Sequence, residues 1–313
     1  VDPVCHTLVG AALAETGLKR RTPAATATLL IGANLPDLDM LSYAWGSLAA
    51  LSFRRGWTHG VLAMAVLPLM LATAVVWVRR LWTRKRGGEP AAFQQVALLS
   101  YVAVLTHPIL DTLNTYGMRW LMPFRDRWFY GDALFIVDPW VWGVLAGGVL
   151  LARRHGTGRP ARWALGLGAA YAVAMWFGSL IAGRDACSQL ADTPGNGGGI
   201  LVSPVPVNSF TRLVVIDEGD RYRFGWYRWL GHPRLAWEGD VVVKNGDDPA
   251  ARAAAATAEG AMFLQWARFP FFLTEHGRGE TLVHIVDARY TLDPEATFGA
   301  FTVRVAATGD DGR

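Results

Sequence analysis

Four long stretches of this chain carry almost no charge, and that feature restricts the fold more than any motif does. They run from Val61 to Val78, from Ala91 to Leu110 with His107 as the titratable exception, from Ala133 to Ala152 with Asp138 as the exception, and from Trp163 to Gly183. Each approaches the roughly 20 residues that a helix needs to cross about 30 Å of hydrocarbon. The overall composition, 52% hydrophobic and 18% charged over 313 residues, would suit a soluble protein of two domains equally well. The segregation of charge predicts four membrane spans instead.

Two shorter apolar segments precede them, Val4 to Ala14 and Ala24 to Ala33, separated by Lys19, Arg20 and Arg21. At about 1.5 Å per residue each covers half to two thirds of a bilayer core, so a short helical hairpin is expected. The positive charges follow the first apolar segment, whereas a signal peptide places them ahead of it. Arg79, Arg80, Arg84, Lys85 and Arg86 follow one span, and Arg153, Arg154, Arg159 and Arg162 precede another. The positive-inside rule puts both loops in the cytoplasm and predicts a multi-pass protein of a bacterial inner membrane. The lipid bilayer is then the expected partner, and the net charge of +4 calls for no nucleic acid.

The expected organisation is an α-helical integral membrane domain over 1–190, a linker over 191–208 and a small α+β domain over 209–313, on the extracytoplasmic side. Gly195 to Gly199 with Pro204 and Pro206 mark the linker. Phe210 to Ile216 and Arg221 to Trp229 predict a hairpin about Asp217-Glu-Gly-Asp220. Ala250 to Arg268 predicts a helix, and Phe269 to Thr274, Thr281 to Tyr290 and Phe298 to Val305 predict strands. Cys5 and Cys187 fall on the same outer face in this threading, where two separate thiols are favoured over a disulfide.

The same threading gathers a set of polar groups at the outer ends of the helices. His6 begins the hairpin, and Asp37 and Asp39 in Asn34-Leu-Pro-Asp-Leu-Asp39 end it. His59 starts one span, and His107 and Asp111 end the next. Ionisable residues within a membrane are costly and mark function. His107 and Asp111, four apart, share one helix face, and Asp37 and Asp39 are expected to approach a shared ion from an extended turn at Pro36. Imidazole and carboxylate without thiolate suit a divalent ion, zinc first, with manganese or iron as alternatives. Arg54, Arg55 and Arg125 lie near enough in this threading to meet phosphate oxygens of a substrate, or else lipid headgroups.

His6 in Cys-His-Thr-Leu-Val-Gly, the Asn34 to Asp39 stretch, Arg55-Gly-Trp-Thr-His-Gly60 and His107-Pro-Ile-Leu-Asp111 with Asn114-Thr-Tyr-Gly117 resemble the YdjM-type (DUF457) inner-membrane metal-dependent hydrolases. The resemblance covers most of the chain, including Ser203-Pro-Val-Pro-Val-Asn208. It implies a membrane-bound metallohydrolase and names no substrate. Part of the order is also similar to that of zinc-dependent phospholipases C, whose later histidines and Glu-x-x-x-His are missing here. The expected activity is attack by metal-activated water on an ester or phosphoester of an amphiphilic substrate. His59, His107 and Asp111 lead as ligands, His6 follows, and Asp37 and Asp39 divide between ligand and general base. The alternatives are a pathway for ions or protons and a structural metal.

Overall fold

The computed structural model describes residues 1–189, 199–277 and 279–306. It divides into two compact units, the first formed by 1–45, 53–178 and 206–208, the second by 46–52, 179–205 and 209–313.

The first unit is helical. Helix α1 (Pro3–Glu15) starts where Asp2 accepts hydrogen bonds from the amides of Val4 and Cys5 at 2.9 and 3.2 Å, a carboxylate cap with proline at the first helical position. Helix α2 (Ala25–Asn34) returns, and Leu35–Trp45 continues from it as a 3-10 helix. Along the chain a short helix α3 (Ser47–Phe53), nearly all of it belonging to the second unit, precedes α4 (Val61–Arg86) and α5 (Phe93–Thr112). Helices α6 (Pro139–His155) and α7 (Arg159–Gln189) follow, with α7 passing into the second unit at residue 179. Small residues let the backbones of α1, α2 and α5 approach closely. A Cβ on Gly10 would lie 2.7 Å from the carbonyl oxygen of Leu29, and one on Gly32 would lie 2.8 Å from Ala103 Cβ.

Helices α4, α5 and α7, with 26, 20 and 31 residues, are long and apolar enough to cross a membrane. The fourth expected span is not of that kind. Residues 133–138 are not helical, and α6 has 17 residues, about 25 Å of rise. Asp138 is the reason: its side chain caps the helix through the amides of Trp140 and Val141 at 3.0 and 3.2 Å. The N-terminal hairpin is present as expected, and Glu15 at its turn pairs with Lys19 and with Arg153, the latter at 3.0 Å.

In the second unit β1 (Ile200–Pro204), β2 (Thr211–Asp217), β3 (Arg221–Arg228) and β4 (Leu235–Val243) form an antiparallel sheet in that order, with Thr211 opposite Arg228 and Asp217 opposite Tyr222. Helices α8 (Pro249–Ala256) and α9 (Ala258–Trp266) follow, and β5 (Pro270–His276), β6 (Glu280–Asp287) and β7 (Ala300–Ala306) form a second antiparallel sheet. Val215, Tyr222, Phe224, Phe271 and Val286 are buried together in its core.

Three expectations are corrected here. The region assigned to the linker holds strand β1, because the continuous apolar run Ile200 to Val202 is largely buried as it pairs with β2; Gly195 to Gly198 lie outside the described residues. The single helix expected over Ala250 to Arg268 is two, since Thr257 turns extended and its hydroxyl caps Gly260 N at 3.0 Å. Strand β4 has no counterpart among the expected strands. Cys5 and Cys187 are both free thiols, Cys5 buried and Cys187 exposed.

Candidate metal centre

The site assembles where the first unit's helix ends converge. The last turn of α5 brings His107 and Asp111 to one face, the 3-10 helix brings Asp37, and the turn before α4 brings His59. One donor atom from each of these four lies within 4.8 Å of all the others. The Nε2 atoms of His59 and His107 are 3.1 Å apart. Asp111 Oδ2 lies 3.4 and 3.5 Å from them, and Asp37 Oδ1 lies 3.6 Å from His107 Nε2.

The far sides of both imidazoles are committed. His107 Nδ1 donates to the carbonyl oxygen of Ala33 at 2.7 Å, at the end of α2. His59 Nδ1 faces Asp39 Oδ2 at 3.2 Å and the Thr58 hydroxyl at 2.9 Å, and that hydroxyl donates to the same carboxylate oxygen at 3.1 Å. With Nδ1 as donor in each ring, the lone pairs of both Nε2 atoms point into the space shared with the carboxylates. Asp111 Oδ2 and Asp37 Oδ2 accept no hydrogen bond among the described residues. Lone pairs crowded at this range repel one another, and a cation relieves the repulsion. Tetrahedral metal bonds of 2.0 to 2.2 Å place ligand atoms about 3.3 to 3.6 Å apart; the four individual separations above fall at or near that range, and the remaining pairs lie within 4.8 Å. The residues present therefore fit a divalent ion.

The 3-10 helix decides what the two aspartates do. An extended turn would set both carboxylates on the ion. Instead the tight helical winding sends Asp37 into the donor cluster and Asp39 behind it, onto the far nitrogen of His59. Asp39 Oδ2 is fully engaged there, also accepting from the amide of Arg55 at 2.8 Å. Asp37 keeps 11% of its side chain accessible, while those of His59, His107 and Asp111 are fully enclosed. Burial would raise the Asp37 carboxyl, but in the metal-free site a protonated His107, donating from Nε2 as well as from Nδ1, outweighs it and holds it at about 2. Burial likewise opposes the ionisation of Asp39, which the His59 contact nevertheless draws below its usual value.

His6 stands beside the cluster rather than in it. Its ring stacks on His107 at 3.6 Å and its Nε2 contacts the other oxygen of Asp111 at 3.2 Å. The arginines separate. Arg55, expected to face a substrate, is buried: its Nε lies 3.2 Å from Asp111 Oδ2, and its Nη1 donates to Asn114 Oδ1 at 2.9 Å and to the Gly117 carbonyl at 3.2 Å. Its backbone is left-handed at φ 51°, a strained conformation held from both sides by Asp39 and by the Arg119 amide, which donates to Arg55 O at 2.8 Å. Arg54 lies on the open side, 3.7 Å from Asp39 and 4.0 Å from Asp37, with its Nη1 donating to Tyr43 OH. Arg125 is exposed in the later loop, and none of the contacts above involves it.

Sequence reasoning missed Asn114 and Arg119 as parts of the support. Asn114 Oδ1 gathers Arg55 Nη1 and the amides of Tyr116 and Gly117, and Arg119 donates to the Arg54 carbonyl at 2.7 Å. The pattern Asn114-Thr-Tyr-Gly117, an Asx turn closing on a glycine at φ 86°, was the available signal.

A family model described as YdjM inner membrane protein matches residues 1–182, which includes every group of the cluster. No curated protein and no solved structure matches the chain.

Proposed function

The chain belongs to the YdjM inner membrane protein family, and on that premise we propose that it is a membrane-bound metal-dependent hydrolase acting on an ester or phosphoester of an amphiphilic substrate. The observation that carries the proposal is the convergence of two imidazole Nε2 atoms, both rings tied at Nδ1, with carboxylate oxygens of Asp37 and Asp111. His59, His107 and Asp111 would hold the ion, and zinc suits this nitrogen and oxygen set best. Such an ion supplies Lewis acidity and lowers the pKa of a bound water toward neutrality.

The chain's own groups divide the remaining work. Asp37 accepts the proton at Oδ2, the oxygen that takes no hydrogen bond among the described residues, whereas Asp39 is occupied in orienting His59. Arg55 holds Asp111 in place, and Arg54 at the open side pairs with anionic oxygens of a phosphoester. The outer face of the inner membrane is the proposed location of the site, from the basic loops, with the β domain extracytoplasmic.

Elemental analysis of the purified protein tests the core. Wild type should carry stoichiometric metal, and His107→Ala with Asp111→Ala should carry none; metal retained by that variant removes the proposal. A structural ion is the competing reading, favoured by the complete enclosure of His59, His107 and Asp111. Under that reading chelation unfolds the protein and no ester is turned over. An ion or proton pathway would instead give flux into proteoliposomes without hydrolysis.

A further inference from the structure

Helices α6 and α7 meet tightly near their connection at Gly156, where a Cβ on Gly148 would lie 2.2 Å from Ala164 Cβ. Beyond that contact they enclose a cavity of about 550 Å³ with α1 and α5, reaching Leu113 and Leu134. Small residues in membrane helices ordinarily mark close packing. Here Gly168 on α7 faces the cavity, and a Cβ added to it would meet nothing within 4 Å.

The walls offer water few partners. Thr106 and Thr112 supply the only side-chain hydroxyls of the lining among the described residues, and they donate to the carbonyls of Ala103 and Pro108 at 2.6 and 2.8 Å. A space of this kind stays dry and takes apolar matter. Ile109 and Val173 belong to the lining yet are 55% and 52% exposed, so the cavity is continuous with the lipid-facing surface of α5 and α7. From Leu165 to Trp176 it follows α7 for roughly 16 Å, the scale of an extended hydrocarbon chain.

We propose that this cavity holds one hydrocarbon chain of a membrane lipid. Thr106 and Leu110 on the cavity side are the sequence neighbours of His107 and Asp111 on the donor side, so a lipid seated here carries its polar end at the level of the metal centre. That last step rests on the amphiphilic substrate proposed above; the binding of the chain does not.

The test uses the full chain in vesicles containing phosphatidylethanolamine with a diazirine-bearing palmitoyl chain. Photolabel should concentrate on 106–113 and 165–176 over the exposed apolar face of α4 at Leu62 and Val78, which serves as the internal control. Gly168→Phe should cut labelling of the cavity segments at least fivefold with metal content unchanged. Equal labelling of α4 and the cavity means surrounding lipid only and overturns the proposal, as do unchanged labelling in Gly168→Phe and crosslinks there between two copies of the chain. If Gly168→Phe does not fold, the wild-type distribution decides alone. Loss of metal with labelling intact would count against the hydrolase and leave the chain site standing.

Discussion

Replacing Asp39 by Asn separates a ligand from the group that orients one. Asp39 Oδ2 faces His59 Nδ1 at 3.2 Å and accepts from the Thr58 hydroxyl and the Arg55 amide at 3.1 and 2.8 Å. An amide oxygen of the same shape can keep all three contacts but not the charge that makes His59 a stronger donor. Loss of such a partner typically weakens metal binding about 10- to 100-fold, or about 1.4 to 2.7 kcal/mol. Arg54 Nε, 3.7 Å from Asp39 Oδ1, would lose its counter-charge beside a cation site, which moves the expected value toward the upper end. The assay is competition against a chromophoric chelator with detergent-purified protein, together with elemental content. Asp39→Asn should purify with metal and release it to weaker chelators. Wild-type affinity would refute the orienting role, and complete absence of metal, as in the His107 and Asp111 double variant, would make Asp39 a direct ligand.

Asp37→Asn should keep metal within about tenfold yet lower turnover by about 10²- to 10⁴-fold, the usual range for a lost general base; an unchanged rate would exclude Asp37 from proton transfer. Arg55→Lys cannot reproduce the fork that reaches Asp111, Asn114 and Gly117, and should cost about 3 to 5 kcal/mol in thermal or denaturant unfolding. A loss under about 1 kcal/mol would show that the buried guanidinium is dispensable. Acid should release the metal through the imidazoles, because protons compete for Nε2, while Asp37 stays ionised down to about 2. Since its folded value lies below the ordinary 3.8, Asp37 ionisation stabilises the fold above that pH, and the contribution fades as pH falls through about 2. In Asp37→Asn the unfolding free energy should accordingly fall less steeply between about pH 4 and 2, and an unaltered slope would refute the assignment.

The helical unit was legible because an uncharged run of about 20 residues suits a membrane span and little else. The cluster was legible because a chain alternating across a bilayer returns its ends to one face. The shortfall of α6 was hidden by Asp138, whose letter reads alike as a buried acid and a helix cap. Asp37 and Asp39 show the same limit: their spacing suits an extended turn, and only the 3-10 winding sends them to opposite sides of His59. A partly exposed arginine and a buried clamp are also written alike, which is why Arg54 and Arg55 looked equivalent. Strand β4 escaped because it is largely exposed, with Glu238, Gly239 and Asp240 breaking the alternation that a half-buried strand would show.

The order in which the donors occur along the chain has a bearing on biogenesis. Asp37, His59, His107 and Asp111 come from three separate elements, and the last arrives at the end of α5. A nascent chain that has not delivered residue 111 holds an incomplete donor set, so capture of the proposed ion would follow placement of α4 and α5. Under the proposed function, metal loading would report that this part of the protein has been threaded correctly, and misinserted chains would stay empty and distinguishable.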